Sequence, residues 1–320
     1  MSSPTSDHAL TLGRALHGAR SFSDETDALH AGERLAWTMT RDLAPAVSFA
    51  RVPLAPMWLE PWAACQPLAA SGPVRLVRTA TVIRTRTDLV CIDPSLPSAW
   101  ARTPLGERMR SLHGARTGET FPMSLDEALG PPGYTEVIFT SLAFQSLREL
   151  LGTTETDGLE PLLAPYFPGA RIVVGADALR RARSEHEHAT DVRGGLSRLR
   201  TDAVLEVSEP TLLPSGLVAI PTGGHVPEHL AIACVVKLDR PRVAVMTSQV
   251  TTREAFAPYE SSLPGLREHA RLRDTELTPR GDAHDALAHR RALRFERALA
   301  DRDPADPRFH LVHPALHLDP

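Results

Sequence analysis

Glu136-Val-Ile-Phe-Thr-Ser-Leu-Ala-Phe-Gln-Ser146 opens with a short β-branched and aromatic run and turns polar at Thr140 and Ser141. A run of that length ending in small polar residues reads as a buried strand over 136–140. A helix is expected to begin just after it, at Leu147 to Leu151. Upstream, Val74 to Arg84 and Asp88 to Ile92 read as two adjacent strands joined by the polar turn Thr85-Arg-Thr87, with the loop Asp93-Pro-Ser-Leu-Pro97 closing the unit. Helices are expected over Arg102 to Leu112 and Ser124 to Leu129. Downstream, Ala170 to Gly175 reads as a strand followed by a helix to about Ser184. Further strands are expected over Ala203 to Val207, Leu217 to Ile220, Ala231 to Leu238 and Val243 to Met246, and a charged helix over Asp282 to Ala300. Strands dominate the middle, helices are interleaved and turns recur at short spacing. That pattern predicts a layered αββα body better than a regular doubly wound sheet.

The first 73 residues have a different character. Residues 1 to about 25 are polar and are expected to fray at the start. Asp27 to Leu43 reads as a helix, with Asp24 and Glu25 favouring its N-terminal end and Ala28, Leu35, Ala36 and Met39 near one face. A Pro-rich passage follows, carrying the short apolar run Val47-Ser-Phe-Ala50. The reading is an N-terminal arm over 1–73 laid on a main body over 74–320, not an independent domain.

Composition narrows the function classes. The 320 residues are 42% hydrophobic and 23% charged, with a formal charge of −4 and 5% aromatics. That balance supplies neither the basic footprint nor the stacking platforms of nucleic-acid binding. No stretch approaches the roughly 18 apolar residues of a membrane span. The N-terminus lacks a basic segment followed by an apolar one, so a cytoplasmic location is expected. Cys65, Cys91 and Cys234 are odd in number and widely spaced, which gives neither a disulfide framework nor a zinc ribbon. Cys91 and Cys234 sit inside apolar runs and read as buried structural thiols.

Five landmarks in order carry a resemblance over 74–320. Leu89-Val-Cys-Ile-Asp-Pro-Ser95 is a strand ending in an Asp turn, and Glu136-Val-Ile-Phe-Thr140 a strand ending in Thr. Tyr166-Phe-Pro-Gly-Ala-Arg-Ile-Val-Val174 leads into a strand, and Ile220-Pro-Thr-Gly-Gly-His-Val-Pro-Glu-His229 is a Gly/His/Pro turn after another. Arg242-Val-Ala-Val-Met-Thr-Ser-Gln249 completes the series. Together they resemble the metallo-β-lactamase superfamily, in its lactonase and arylesterase-like branch. The resemblance implies an α/β fold, a four-layer αββα sandwich, whose cleft is walled by loops at one edge.

The departures bear on chemistry. The family's first metal motif reads Thr-His-x-His-x-Asp-His, whereas here Ser141, Ala143 and Ser146 stand at the histidine positions and Gln145 at the aspartate. The later Gly-Asp, whose carboxylate bridges two metals in the family, is Ser248-Gln249. Near the C-terminus, Leu311-Val-His-Pro-Ala-Leu-His317 puts neither histidine unambiguously at the last ligand position; His225 alone survives clearly. A catalytic divalent site needs about three protein ligands from imidazole, carboxylate or thiolate. Alanine offers no donor, neutral serine a poor one, and glutamine no charge. Without the metal, no bound water is acidified and no Lewis acid polarises a carbonyl.

The expectation is therefore a metal-free, cofactor-free pseudoenzyme, catalytically inactive as a hydrolase, that binds a peptide or small organic ligand. Such a chain fits an accessory protein of a biosynthetic pathway, acting as a homodimer or with a protein partner, without nucleic acid or membrane. The expected ligand-binding residues are Ser141, Ala143, Gln145, Ser146, His225, Ser248 and Gln249. A competing reading uses His225 with a nearby serine as a metal-independent hydrolase or cyclase, although no Gly-x-Ser-x-Gly elbow supports it. A third is a structural subunit pairing with an active relative. Asp93 reads as a turn cap or, by the resemblance, a brace behind the site. Glu185-His-Glu-His188 reads as a solvated helix end, and Arg290, Arg291, Arg294 and Arg297, with Glu296 among them, as a solvated helix face.

Overall fold

The computed structural model describes residues 4–59, 74–94, 124–130, 133–142, 150–152, 164–176, 178–180, 204–223, 226–237, 240–247, 285–300 and 311–312. Helices α1 (Pro4–Gly18) and α2 (Glu25–Asp42) come first, followed by strands β1 (Ser48–Leu59), β2 (Val74–Arg84) and β3 (Leu89–Ile92). Helix α3 (Leu125–Leu129) precedes β4 (Glu136–Ile138), β5 (Arg171–Gly175), β6 (Val204–Val207), β7 (Thr211–Leu212), β8 (Val218–Pro221), β9 (Leu230–Lys237) and β10 (Pro241–Met246). Helix α4 (Ala286–Leu299) and β11 (Leu311–Val312) close the described chain.

The strands form two sheets. The six-stranded sheet has the order β1-β2-β3-β4-β5-β6 and the five-stranded sheet the order β11-β10-β9-β8-β7. In the first, β1, β2 and β3 pair antiparallel, whereas β3, β4, β5 and β6 run parallel. In the second, β7 to β10 pair antiparallel and β11 adds parallel to β10.

Period-2 alternation sorts each strand's side chains into layers. Val90, Ile92, Ile138 and Val173 of the first sheet meet Ala219, Leu230, Ile232, Cys234, Ala244 and Met246 of the second, forming the core between the sheets. Their alternates Cys91, Val137, Ile172 and Val174 face the other way and pack with Leu125, Leu150, Leu151, Ala178 and Leu179. Val218, Ile220, Ala231, Ala233, Val235, Val243 and Val245 line the outer face of the second sheet, beneath Leu35 and Met39 of α2 and Leu293, Phe295 and Leu299 of α4. Three hydrophobic interlayers between four layers are the αββα sandwich expected from the sequence. The central strand β9 is buried along Leu230–Val235, which is why it reads as a continuous apolar run and not an alternating one.

Residues 4–59 are part of this architecture. In the polar stretch up to about residue 25, for which the sequence reading named no helix, the structure has α1 over Pro4–Gly18. Its Leu12 is buried in the outer interlayer, with Ala15 and Leu16 packed against it. Burial of that stripe, and not propensity, holds the helix. Asp24 caps α2, accepting from the backbone N–H of Thr26 and Asp27 at 2.8 Å each. The Pro-rich passage contributes the twelve-residue strand β1, paired from end to end with β2 except at Leu54. Ala46 N–H donates to Val235 O at 2.8 Å as the chain crosses from the helical layer to that strand. The two-residue strands β7 and β11 are also additions to the sequence reading.

Helices α2 and α4 touch at Gly32. A Cβ built there lies 2.6 Å from Phe295 O and 2.8 Å from Ala298 Cβ. Gly32→Ala is therefore expected to cost about 1–3 kcal/mol by forcing the helices apart, although alanine is intrinsically the better helix former. A thermal melt at or above the wild-type midpoint would contradict this packing.

Candidate functional site at the sheet edge

The C-terminal ends of the parallel strands β3, β4 and β5 lie at one edge of the sandwich, the edge at which ligands bind in open α/β sheets. Asp93 follows β3 with φ of 51°, the left-handed region, which favours glycine but which Asp tolerates better than most residues. Its own N–H donates to Ile138 O at 2.9 Å, fixing the turn against β4. Its Oδ1 accepts from Thr140 N–H at 2.9 Å and its Oδ2 from the Thr140 hydroxyl at 2.6 Å. Asp93 thus clamps Thr140, two residues past the end of β4, across 47 positions of sequence. Ser141 comes next and is buried.

The second sheet reaches this edge through the β8–β9 connection. Leu230 N–H donates to Thr140 O at 2.9 Å, bolting the start of β9 to the end of β4. Gly175, the last residue of β5, lies so close that a Cβ there would sit 1.8 Å from Glu228 O. The base of the connection is closed by Thr222 N–H to His229 O at 3.1 Å and His229 N–H to Val226 O at 3.2 Å.

Behind it runs a buried polar chain. His229 is fully enclosed. Its Nδ1 lies 3.0 Å from the Thr222 hydroxyl and its Nε2 3.3 Å from that of Thr247, just after β10. The Thr222 hydroxyl donates to Glu296 Oε1 at 3.2 Å. Since that proton is directed to the carboxylate, His229 Nδ1 is the donor toward Thr222. Held on both ring nitrogens, His229 is a tie between α4 and the loop, not a base open to a substrate. Glu296 is fully buried beside Leu293, Phe295 and Leu299, which corrects its reading as part of a solvated face. Helical spacing held the signal, because Glu296 falls three or four residues from Ala292, Leu293 and Leu299 on the apolar stripe. No local signal pointed to Thr222, Thr247 or Gly175, whose partners are distant in sequence.

Of the ligand-binding residues expected from sequence, Ser141 is at this edge. Ala143, Gln145, Ser146, His225, Ser248 and Gln249 lie outside the described residues, as do Cys65, Glu185-His-Glu-His188 and the histidines after Val312. Cys91 and Cys234 are free and buried. Burial, assisted at Cys91 by the Asp93 charge, raises the Cys91 thiol far above its ordinary value, and burial pushes Cys234 up to about 12. Neither is a thiolate nucleophile at neutral pH.

A divalent metal does not fit the donor set that β4 delivers here. Both carboxylate oxygens of Asp93 are engaged by Thr140, and from Thr140 to Leu147 the sequence offers no imidazole, carboxylate or thiolate. Among the described residues, no group of three or more His, Cys, Asp and Glu is arranged to hold an ion, and no helix is long and apolar enough to cross a membrane.

Two sheets in this strand order, with helices on both outer faces and a loop-walled edge, are the metallo-β-lactamase fold. Among solved structures, AidC, a dizinc quorum-quenching lactonase in complex with its product, aligns with a TM-score of 0.52 and 8% identity, over 85% of this chain and 90% of its own. The hydrolase AbOPH of the beta lactamase superfamily aligns at 0.49 with 13% identity, over 86% and 90%. A quorum-quenching N-acyl homoserine lactone lactonase aligns at 0.47 with 16% identity, over 72% and 88%. No family model and no curated protein matches the sequence.

Proposed function

We propose that this chain is a binding protein built on a hydrolase fold, holding an organic ligand, a small molecule or a peptide segment, at the edge where Asp93, Thr140, Ser141 and the 222–229 loop converge. The supporting observation is chemical. Beyond β4 the sequence reads Thr140-Ser-Leu-Ala-Phe-Gln-Ser-Leu147, hydroxyls, an amide and apolar side chains in place of metal ligands. Hydroxyl and amide groups beside apolar walls suit neutral hydrogen-bonding ligands, and pockets of this kind are largely preformed. The Asp93–Thr140 clamp and the His229 tie give the rigid frame that such a pocket needs. We extend the reading to an accessory role in a biosynthetic pathway, with the chain acting as a homodimer that hands its ligand to other enzymes.

The test begins with metal. Elemental analysis of the purified full chain should find no stoichiometric zinc, iron or manganese, and added zinc chloride should leave the melting temperature unchanged. One tightly held metal per chain, or saturable stabilisation by zinc, sinks the proposal. With that established, calorimetry against small hydroxylated lactones and short peptides should give saturable heat without turnover; turnover of any of them would assign the fold to catalysis instead.

A further inference from the structure

The two edges of the first sheet are unequal. Among the described residues, β6 has four residues, whereas β1 runs for twelve, from Ser48 to Leu59, and pairs on one side with β2. A long edge strand presents a row of N–H and C=O groups that templates a further strand, from a peptide or from another copy of the chain. β1 carries Pro53 and Pro56 in its interior. In an antiparallel ladder, hydrogen-bonded and non-bonded pairs alternate, and at a non-bonded pair the amide position faces away from the partner. Proline has no N–H to give, so its nitrogen must face the outer edge if no ladder bond is to be lost.

Two prolines three residues apart have opposite parity in a regular strand. One would then point at β2 and break the ladder. The register of β1 resolves this conflict. Pro53 pairs with Thr79, the pairing skips Leu54, and Ala55 pairs with Arg78 and Pro56 with Val77. The single-residue bulge resets the alternation, so both prolines occupy outward-facing positions and the pairing with β2 continues on either side. Phe49 and Arg51, four and two residues before Pro53, share its parity, and Arg51 puts a charge on an exposed position of the same strand. We propose that Pro53 and Pro56, aligned by the bulge at Leu54, close the outer edge of β1 to strand addition, so that neither a peptide nor a second copy of this chain extends the first sheet there. This inference stands apart from the ligand reading, since it concerns a different part of the surface.

The experiment uses the full chain and the double variant Pro53→Thr/Pro56→Thr, which restores two outward N–H donors. In the wild type, the Phe49 amide should exchange with deuterium rapidly at every protein concentration. In the variant, sedimentation should reveal a species heavier than the wild-type state that grows with concentration, and exchange at the same amide should slow by roughly tenfold or more. Slow exchange at Phe49 in the wild type would overturn the proposal, because the edge would then be occupied. A folded variant with wild-type mass and wild-type exchange would overturn it too. If the variant fails to fold, wild-type exchange decides alone: fast supports the proposal and slow refutes it.

Discussion

Gly175→Ala is expected to lower the stability of the chain by about 3 kcal/mol or more, the largest effect of any single methyl group added at the described glycines. The added carbon would sit 1.8 Å from the carbonyl oxygen of Glu228 and 2.7 Å from its carbonyl carbon. Both are backbone atoms, so no rotamer change relieves the clash. Either β5 moves, pulling its own Ile172, Val173 and Val174 out of place in two interlayers, or the 222–229 connection lifts from the first sheet. Lifting it would break the Leu230–Thr140 bond and loosen the candidate site. Thermal denaturation should fall by roughly 5–10 °C, and any ligand bound at the edge should be lost even where the variant remains folded. Gly13→Ala in α1 is the matched control. Nothing lies within 4 Å of its Cβ position, and the change should stabilise the helix by about 0.5–1 kcal/mol. A Gly175→Ala protein as stable as the Gly13→Ala protein would mean that the connection does not rest on β5.

Substitutions at Asp93 should follow the order Ala worst, Gly intermediate, Asn mildest. Two terms separate them. The buried carboxylate accepts from both the N–H and the hydroxyl of Thr140, and leaving that N–H unsatisfied beside a lost charged hydrogen bond costs about 3 kcal/mol. The backbone at φ 51° adds roughly 1–2 kcal/mol for alanine, which Asn tolerates better and Gly avoids. Asn keeps one oxygen acceptor, and the hydroxyl of Thr140 can rotate to accept from its amide nitrogen, so a loss of about 1 kcal/mol is expected. Urea midpoints of the three variants measure the order. Asn as damaging as Ala would mean that charge, not acceptor geometry, dominates; Gly equal to wild type would mean that the Thr140 bonds contribute nothing.

The strands of the sandwich were legible because each has a local signature. Glu136–Ile138, Arg171–Gly175, Leu230–Lys237 and Pro241–Met246 are apolar runs bounded by turn residues, and burial on both faces demands that composition. The Ser124 cap of α3 was similarly visible, its side chain accepting from Glu127 N–H at 3.2 Å. β1 and α1 were not. Two prolines argue locally against a strand, and the bulge that reconciles them exists only opposite β2. A polar N-terminal segment argues against a helix until α2 offers a surface to bury Leu12.

At the candidate site the division is similar. The residue types from Thr140 to Ser146 and at Ser248-Gln249 were fixed by sequence, and with them the loss of metal donors, because coordination depends first on which atoms a side chain carries. Which groups hold one another was decided in three dimensions. Asp93 with Thr140, Gly175 with Glu228, and His229 with Thr222, Thr247 and Glu296 are joined across the chain. A hydrogen bond or a steric limit between distant segments leaves no periodicity to read. It exists only once the two sheets and α4 have packed, and burial then makes each unmet polar group costly enough to demand its partner.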